Sequence, residues 1–428
     1  MAVFATGAGV VAAADQGTFR VVPYTHPYGP PNGLTEGSPG VFYSNGGSAN
    51  QAAFSITAQG ASSILATFPT SHYIQAPLVS AANGRFYSSV SYTRSLVHAF
   101  SVGPTQDSLQ LYPPQNIDPM PTQNLPDGAL LGIAVALTPN PVYYLVKCDL
   151  AGNAKTIHQF PPGETLPHTA IYASDGNYYG VAALQDGSGY VYRVTPSGTL
   201  TKLLDLPPNS FHGAPLYVPL LQAEDGNLYG ATPTGGVTGK GTIYKLTLGG
   251  QYTLLYTFPP SRHSFSPTAL IEAGDGNLYG ATLGVASQLF RITKSGGYTL
   301  LRTMNSYTEG QCQCQLIQGG DGAIYGTALL GGTRGFGNVF IWNADLPKPK
   351  PRALRFNPQS GPAGTQVLVW GAGLLSASVE FNGIRAAEVI SSGSNYIRAT
   401  VPPGATTGPI TITTPGGTVT THISFTVR

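Results

Sequence analysis

A six-residue turn motif recurs along most of the chain and constrains the fold more than any other feature. Its two clearest copies read Asp-Gly-Asn-Leu-Tyr-Gly and start at Asp225 and Asp275. Related copies start at Pro39, Asn83, Asp127, Asp175 and Asp321. The seven starts lie 44, 44, 48, 50, 50 and 46 residues apart, a period that is typical of repeat architectures.

Each repeat carries four short runs of β-forming residues. In the clearest units these runs are residues 268–273, 278–282, 241–247 and 252–258. The Asp-Gly pair favours a hairpin turn between the first two runs, because both central positions of such a turn can take positive φ. Four strands in about 40 to 50 residues is the pattern of a β-propeller blade. Seven repeats therefore predict a seven-bladed β-propeller over residues 17–343.

The two ends of this region predict how the ring closes. The last repeat ends after residues 338–342 and has no fourth run, whereas residues 17–27 resemble the fourth run at 250–259. We therefore expect residues 17–27 to pair beside residues 339–342. Such a clasp removes two open sheet edges.

The repeat pattern stops after residue 343. Residues 344–352 form a linker rich in Pro and Lys. Its residues 347–351 have the composition of a stiff polyproline spacer, which would hold the next domain roughly 15 Å away. Residues 353–428 alternate between short β runs and Gly or Pro turns at sandwich-like intervals. The predicted fold class is therefore all-β, a seven-bladed propeller followed by an immunoglobulin-like sandwich.

Composition excludes several other classes of protein. Only 9% of residues are charged and the net charge is +2, so the chain has no basic field for nucleic acid. The 42% of hydrophobic residues argues against disorder, and 55 glycines with 36 prolines argue against a helical fold. No apolar run reaches the roughly 18 residues of a membrane helix, so no transmembrane segment is predicted.

Two stretches resemble known families. The pattern D-G-N-L-Y-G followed by G-T-I-Y-K-L-T, in residues 225–247, resembles the GloVer tandem repeat of bacterial surface proteins. Residues 356–365, 379–383 and 401–410 resemble an IPT/TIG domain, an immunoglobulin-like module. The resemblance implies a secreted or cell-surface protein with no established catalytic site.

The repeated residues predict structure rather than chemistry. A calcium loop needs several converging oxygen ligands, whereas each turn here supplies a single Asp. Tyrosines at a fixed repeat position usually pack between blades, although they can also stack on sugars. These tyrosines are Tyr179, Tyr229, Tyr279 and Tyr325. Motifs of metalloproteases, serine hydrolases and phosphate-binding loops are missing from the sequence, so neither an enzyme nor a cofactor is predicted, and a polysaccharide-degrading enzyme is the least favoured function.

Histidines and aromatic residues between repeats form a candidate ligand face. We expect them to gather at one mouth of the propeller channel, because each precedes the first strand of a repeat. The candidates are His72, Tyr73, His168, Phe211, His212, Arg262 and His263. A lectin-like propeller that binds glycans through this face is one predicted function, although the same residues also fit solvated loops.

The apolar N-terminal segment, residues 1–16, supports a different function. Residues 2–14 carry no charge, and their larger side chains are Val3, Phe4, Val10 and Val11. The segment is either the remnant of a signal peptide or a strand that pairs with a neighbouring subunit. The second alternative predicts a structural or adhesive subunit of an extracellular assembly, such as a filament, with the immunoglobulin-like domain as acceptor. Expected partners are further copies or other surface proteins.

The three cysteines give no disulfide framework. Cys312 and Cys314 lack the C-x-x-C spacing of zinc sites, and a bond between them would close a very small ring. Cys148 and Cys314 fall in the third and seventh repeats, which are not neighbours in a ring of seven. We therefore expect no bond between Cys148 and Cys314.

Overall fold

The structure of the protein is a computed structural model. It describes residues 17–22, 31–46, 51–68, 72–74, 76–92, 96–105, 110–111, 119–136, 141–165, 170–184, 186–206, 218–260, 266–284, 286–312, 315–331, 337–391 and 393–428. All regular elements in these ranges are β-strands.

Thirty strands of the described residues build a propeller. In chain order they are β1 (Thr18–Val22), β2 (Thr35–Ser38), β3 (Val41–Gly46), β4 (Gln51–Thr57), β5 (Ser62–Phe68), β6 (His72–Ile74), β7 (Val79–Ser80), β8 (Phe86–Tyr92), β9 (Leu96–Val102), β10 (Gln110–Leu111), β11 (Pro119–Asn124), β12 (Leu130–Ala136), β13 (Val142–Cys148), β14 (Ala154–Gln159), β15 (Glu164–Thr165), β16 (Ile171–Tyr172), β17 (Tyr178–Leu184), β18 (Gly189–Val194), β19 (Leu200–Leu206), β20 (Leu221–Gln222), β21 (Leu228–Thr232), β22 (Thr242–Leu246), β23 (Tyr252–Thr257), β24 (Ser266–Glu272), β25 (Leu278–Leu283), β26 (Gln288–Ile292), β27 (Tyr298–Thr303), β28 (Leu316–Gln318), β29 (Ile324–Ala328) and β30 (Asn338–Asn343).

These strands form seven antiparallel sheets, one for each repeat. Blade 1 is β2–β5, blade 2 is β6–β10, blade 3 is β11–β14, blade 4 is β15–β19, blade 5 is β20–β23, blade 6 is β24–β27, and blade 7 is β28–β30 with β1. The predicted seven-bladed propeller is therefore confirmed.

The N-terminal strand closes the ring. β1 pairs antiparallel with β30 as the outer strand of blade 7, from Thr18 opposite Asn343 to Val22 opposite Val339. Val22 is 1% exposed and packs in a cluster with Phe42 of blade 1. The predicted clasp is confirmed for residues 18–22, whereas residues 23–27 lie outside the described residues.

Hydrogen bonds within each turn explain the conserved spacing of the repeat motif. At the turn of blade 5, Asp225 accepts hydrogen bonds from the backbone and side chain of Asn227 and, at 2.7 Å, from the Tyr229 hydroxyl. Burial pushes the pKa of Asp225 upward, but these bonds outweigh it and leave the pKa below its usual value. The same bond from a tyrosine hydroxyl to the aspartate four residues earlier occurs at Asp175, Asp275 and Asp321.

The turn geometry corrects one expectation. Gly226 has a φ of 80°, but Asp225 is not among the described residues with positive φ. Gly226 donates its N–H to the Ala223 carbonyl while Ala223 donates to the Asn227 carbonyl. This is a three-residue hairpin loop, a type I turn followed by a left-handed glycine. Only the glycine, and not both central residues, needs positive φ.

The motif tyrosines and glycines belong to the core. Tyr179, Tyr229, Tyr279 and Tyr325 are at most 1% exposed. The glycine after each tyrosine faces an aromatic residue on the third strand of its blade. The pairs are Gly180 with Tyr192, Gly230 with Tyr244, Gly280 with Phe290, and Gly326 with Phe340. A Cβ on Gly280 would lie 2.2 Å from the Phe290 ring, so the aromatic ring occupies the place of a side chain. The core interpretation of the tyrosines is confirmed.

Side-chain acceptors also join blades 4 to 5, 5 to 6, 6 to 7 and 7 to 1. Gln222 of blade 5 accepts the Ser174 N–H of blade 4 at 2.8 Å. Three equivalent bonds follow around the ring, each from a backbone N–H to a side-chain oxygen. They join Glu224 to Glu272, Gly274 to Gln318, and Gly320 to Glu36. Because the last bond joins blade 7 to blade 1, Glu36 provides a second closure of the ring beside the clasp.

The remaining residues form an immunoglobulin-like sandwich. Its strands are β31 (Arg352–Asn357), β32 (Ser360–Gly361), β33 (Gln366–Ala372), β34 (Ser378–Phe381), β35 (Ile384–Arg385), β36 (Glu388–Ser391), β37 (Tyr396–Thr400), β38 (Gly408–Thr414) and β39 (Gly417–Val427). One sheet has the order β31-β33-β37-β36 and the other β32-β39-β38-β34-β35. Val369, Ile397, Ile412 and Phe425 lie in the core between them.

The cysteines divide into two states. Cys148 is free and buried, and burial raises the pKa of its thiol. It therefore forms no bond with Cys314, as expected. Cys312 is disulfide-bonded, a state that the sequence left open, and Cys314 lies outside the described residues.

The contact between Gly280 and Phe290 gives a first testable prediction. Gly280→Ala should lower the free energy of unfolding by about 1–3 kcal/mol, because the added methyl group overpacks the ring. In a Phe290→Ala background most of that loss should vanish. Urea unfolding of the four proteins in this cycle measures the coupling. Equal losses in both backgrounds would show that the ring does not exclude the side chain.

The clasp gives a second prediction. Removing residues 1–22 should destabilise the propeller by more than the roughly 1.5–3 kcal/mol that burying one valine contributes, because β30 also loses its partner strand. A protein lacking only residues 1–16 retains β1 and is the matched control. Thermal unfolding of both proteins compares them, and an unchanged Tm after the longer deletion would contradict the role of the clasp.

Candidate functional site

The antiparallel blades give the propeller two distinct faces. The turns between first and second strands, such as the one at Asp225, lie on one side of the ring, which we call the turn face. Connections from the second to the third strand, and from one blade to the next, lie on the opposite side, the loop face. The first strands of neighbouring blades contact one another around the central channel.

The immunoglobulin-like domain docks on the turn face. The Trp370 ring meets the Tyr172 ring of blade 4 edge-on, with centroids 5.6 Å apart. Arg355 lies over the same tyrosine at 5.7 Å. Trp370 and Tyr396 are buried in one cluster with Ala82 of blade 2. Apolar and aromatic contacts therefore hold the two domains together.

Hydrogen bonds fix the orientation of this docked domain. The Arg398 guanidinium donates to the Ala82 carbonyl at 2.7 Å, and the Tyr396 hydroxyl donates to the Leu125 carbonyl. Both carbonyls belong to turns between the first two strands of a blade. The Leu125 carbonyl also accepts the Gly128 N–H within its own turn, so the Tyr396 hydroxyl is its second donor.

The linker corrects the expectation of a spacer. Gln318 of blade 7 donates to the Pro347 carbonyl at 3.0 Å, and Leu346 packs against the core between blades 6 and 7. A Cβ on Gly274 would lie 2.2 Å from the Pro347 carbonyl oxygen. The linker therefore lies on the propeller surface and brings the next domain into contact, instead of holding it about 15 Å away.

Three cavities open at this domain interface. The largest, about 670 Å³, lies between blades 1, 6 and 7, the linker and the immunoglobulin-like domain, and Glu36 and Asn395 are among its lining residues. A second, about 610 Å³, separates Asp127 and Ser174 from Arg355 and His422. The third, about 180 Å³, lies among blades 1, 2 and 3 and also contacts Asn395. Domain interfaces are common places for ligand sites.

Two buried polar side chains at the mouth of the channel differ in their hydrogen bonding. Glu36 is 4% exposed, and burial raises the pKa of its carboxyl although the Gly40 and Gly320 N–H groups both donate to it. Asn124 is 1% exposed, and neither polar atom of its side chain has a hydrogen-bond partner among the described residues. Unpaired buried amides are rare in proteins, so Asn124 marks this region as a candidate site.

The structure places the sequence candidates differently. His72 and Tyr73 lie within β6, the first strand of blade 2, with their Cα atoms opposite Tyr92 and Ser91. They belong to a strand and not to the connection in which we expected them. The other candidates lie outside the described residues: His168, Phe211, His212, Arg262, His263, Val3, Phe4, Val10 and Val11. The ligand face therefore stays a prediction.

Two further findings concern the described part of the chain. Its ranges hold no group of three or more His, Cys, Asp or Glu side chains placed to bind a metal ion. No helix within them has the length and apolar character needed to cross a membrane.

Sequence reasoning missed the residues at the domain interface. One signal was available at Asn124, which stands three residues before its Asp-Gly turn. The equivalent positions hold Tyr172, Gln222, Glu272 and Gln318, and all except Tyr172 accept a bond between blades through their side chains. Asn124 has the shortest side chain of these five residues and makes no such bond.

Three solved structures are among those similar to this chain. A fungal alcohol oxidase of the AA5 family, in complex with copper, has a TM-score of 0.48 and 13% identity over 96% of this chain and 100% of its own. PorZ, a surface component of the type-IX secretion system of Porphyromonas gingivalis, has a TM-score of 0.44 and 12% identity over 93% of this chain and 59% of its own. The extracellular domain of a hybrid two component system from B. thetaiotaomicron has a TM-score of 0.46 and 11% identity over 96% of this chain and 57% of its own. All three TM-scores lie below 0.5, so these similarities assign no function to this chain.

Family models match both regions of the chain. The model of the Gloeobacter/Verrucomicrobia repeat matches residues 118–340, and the IPT/TIG model matches residues 351–427, which confirms both predicted resemblances. No curated protein matches the chain. Because the repeat match covers more than half of its length, the chain belongs to the Gloeobacter/Verrucomicrobia repeat family, with an IPT/TIG domain following the repeats.

Proposed function

We propose that the protein is a non-catalytic structural or adhesive subunit of an extracellular assembly, built when the N-terminal segment of one copy adds a strand to another copy. The observation that carries this proposal is the open, uncharged outer strand of blade 5. The repeat region and the IPT/TIG domain together fit a non-catalytic extracellular protein.

Strand β23 has the properties of an acceptor edge. Among the described strands it pairs with β22 alone, so its other edge presents unpaired backbone groups. Its six residues, Tyr-Thr-Leu-Leu-Tyr-Thr, carry no charge. Tyr252 is 42% exposed and Leu254 is 49% exposed, although both are large apolar side chains. An exposed apolar edge strand is a template for pairing with another chain.

Most other outer strands carry the charges that discourage such pairing. Arg20 lies in β1, Lys155 in β14, Lys202 and Asp205 in β19, and Arg302 in β27. Strands β5 and β10 are also uncharged. However, β5 has no exposed large apolar side chain, and β10 has only two residues. Charged residues on an edge oppose its addition to a second sheet, so β23 is the favoured acceptor of the propeller.

The sandwich is a weaker acceptor than we expected from the sequence. Its edge strands β32 and β35 have two residues each, and β36 has four and includes Glu388. The edge strand β31 includes Arg355, which contacts the propeller. Among the described strands β39 pairs with β32 only at Thr426 and Val427, and its residues 421–423 line the cavity at the domain interface. We therefore assign the acceptor to the propeller, whereas the immunoglobulin-like domain stabilises the subunit.

Residues 2–14 supply a matching donor. They are uncharged, and they are more than long enough to pair along the six residues of β23. A strand donated to a different surface on the next copy is a heterologous contact, which propagates into a filament unless a rotation closes it. A lectin-like propeller that uses its loop face is the alternative function.

Light scattering on three variants tests the assembly. The full-length protein should form a concentration-dependent series of oligomers, whereas deletion of residues 2–14 and Leu254→Lys should each leave monomers. Thr201→Lys, on the already charged strand β19, is the matched control and should assemble like the full-length protein. The proposal fails if the full-length and truncated proteins are both monomeric or assemble equally.

A further inference from the structure

The 180 Å³ cavity at the mouth of the channel has the chemistry of a ligand site. Its wall includes Thr35, Ser80, Gln123, Asn124, Gln315 and Asn395. None of the described residues that line it is charged. The cavity also has apolar surfaces, provided by Pro77, Leu78, Val79 and Pro121.

Some of these polar groups are already committed to the fold. The Thr35 hydroxyl donates to the Leu78 carbonyl at 2.5 Å, and the Gln123 carboxamide oxygen accepts the Tyr172 N–H at 2.6 Å. Asn124 is different, because within the described part of the chain neither its amide nitrogen nor its amide oxygen has a hydrogen-bond partner. Burying both groups without partners is costly, so a bound group that donates and accepts would recover free energy here.

The immunoglobulin-like domain completes the cavity. Asn395 reaches it from the loop before β37, and the backbone of that loop is held in place. The Asn395 carbonyl accepts the Gly371 N–H at 2.9 Å, and the Ser394 carbonyl accepts the Leu374 N–H at 2.9 Å. Asn395 also lines the 670 Å³ cavity, so the two cavities meet at this residue. The site is therefore a composite of propeller and sandwich.

We infer that this composite cavity binds a neutral, hydroxylated ring, the chemistry of a monosaccharide unit. Hydroxyl groups both donate and accept, as the two unpaired atoms of Asn124 require. The C–H faces of such a ring suit the proline, leucine and valine surfaces. A charged ligand is disfavoured because no side chain of opposite charge lines the cavity. The cavity is also large enough for several water molecules, so water is the competing occupant.

The experiment uses the full chain and three free sugars as probes. D-glucose, D-galactose and N-acetyl-D-glucosamine are titrated separately, with saturation-transfer NMR and thermal unfolding as readouts. At least one sugar should bind and raise the Tm. Asn124→Leu and Asn395→Ala should each weaken that binding by about tenfold or more, which corresponds to about 1.4 kcal/mol.

The Tm without sugar distinguishes a variant that has lost the ligand site from one whose fold is damaged. Asn124→Leu should keep or raise the Tm without sugar, because it removes two buried polar atoms that have no partner. Asn338→Leu is the matched control. Asn338 is also 1% exposed and has an unpaired oxygen, but it does not line the cavity. Its amide donates to the Glu309 carbonyl, so this variant should lower the Tm and leave sugar binding unchanged.

Two results would overturn the inference. One is that no probe binds the full chain at the highest soluble concentration, while a crystal structure shows only water on Asn124. The other is that Asn124→Leu binds a sugar as tightly as the unaltered chain does. If Asn338→Leu does not fold, Thr413→Val on the outer face of the sandwich replaces it as the control.

Discussion

The pairing of β1 with β30 joins the two ends of the propeller, and the packing between blades depends on it. A propeller with an unclosed seventh blade would present β30 as an open edge, with its backbone groups unpaired. The clasp covers that edge with five residue pairs. Glu36 adds a second link at the same seam, because its carboxylate accepts one N–H from blade 1 and one from blade 7.

The repeat motif stabilises the blades, because its residues form hydrogen bonds within the turn or pack in the core. The aspartate accepts hydrogen bonds within its own turn, the following glycine takes positive φ, and the tyrosine is buried while its hydroxyl bonds the aspartate. The last glycine leaves room for an aromatic ring on the third strand. None of these groups is free for a ligand, so recognition must come from positions where the repeats differ.

Docking of the immunoglobulin-like domain decides which surfaces remain for recognition. It covers part of the turn face with Trp370 and Tyr396, and the linker lies along the propeller surface. What remains is the loop face, the outer strands and the cavities at the interface. The proposed assembly edge β23 and the cavity around Asn124 are separate surfaces, so both can function in one subunit.

The sequence alone determined the number of blades, the clasp and the two domain types, because these follow from local patterns that repeat at a fixed period. It also predicted that the motif tyrosines are core. It failed for the linker, because the contacts of the linker depend on groups distant along the chain. Asn124 and Asn395 are 271 residues apart, and only the docking of one domain on the other brings them to the same cavity. Tertiary structure decided that site, since no local pattern encodes which backbone carbonyls and side chains an approaching domain will meet.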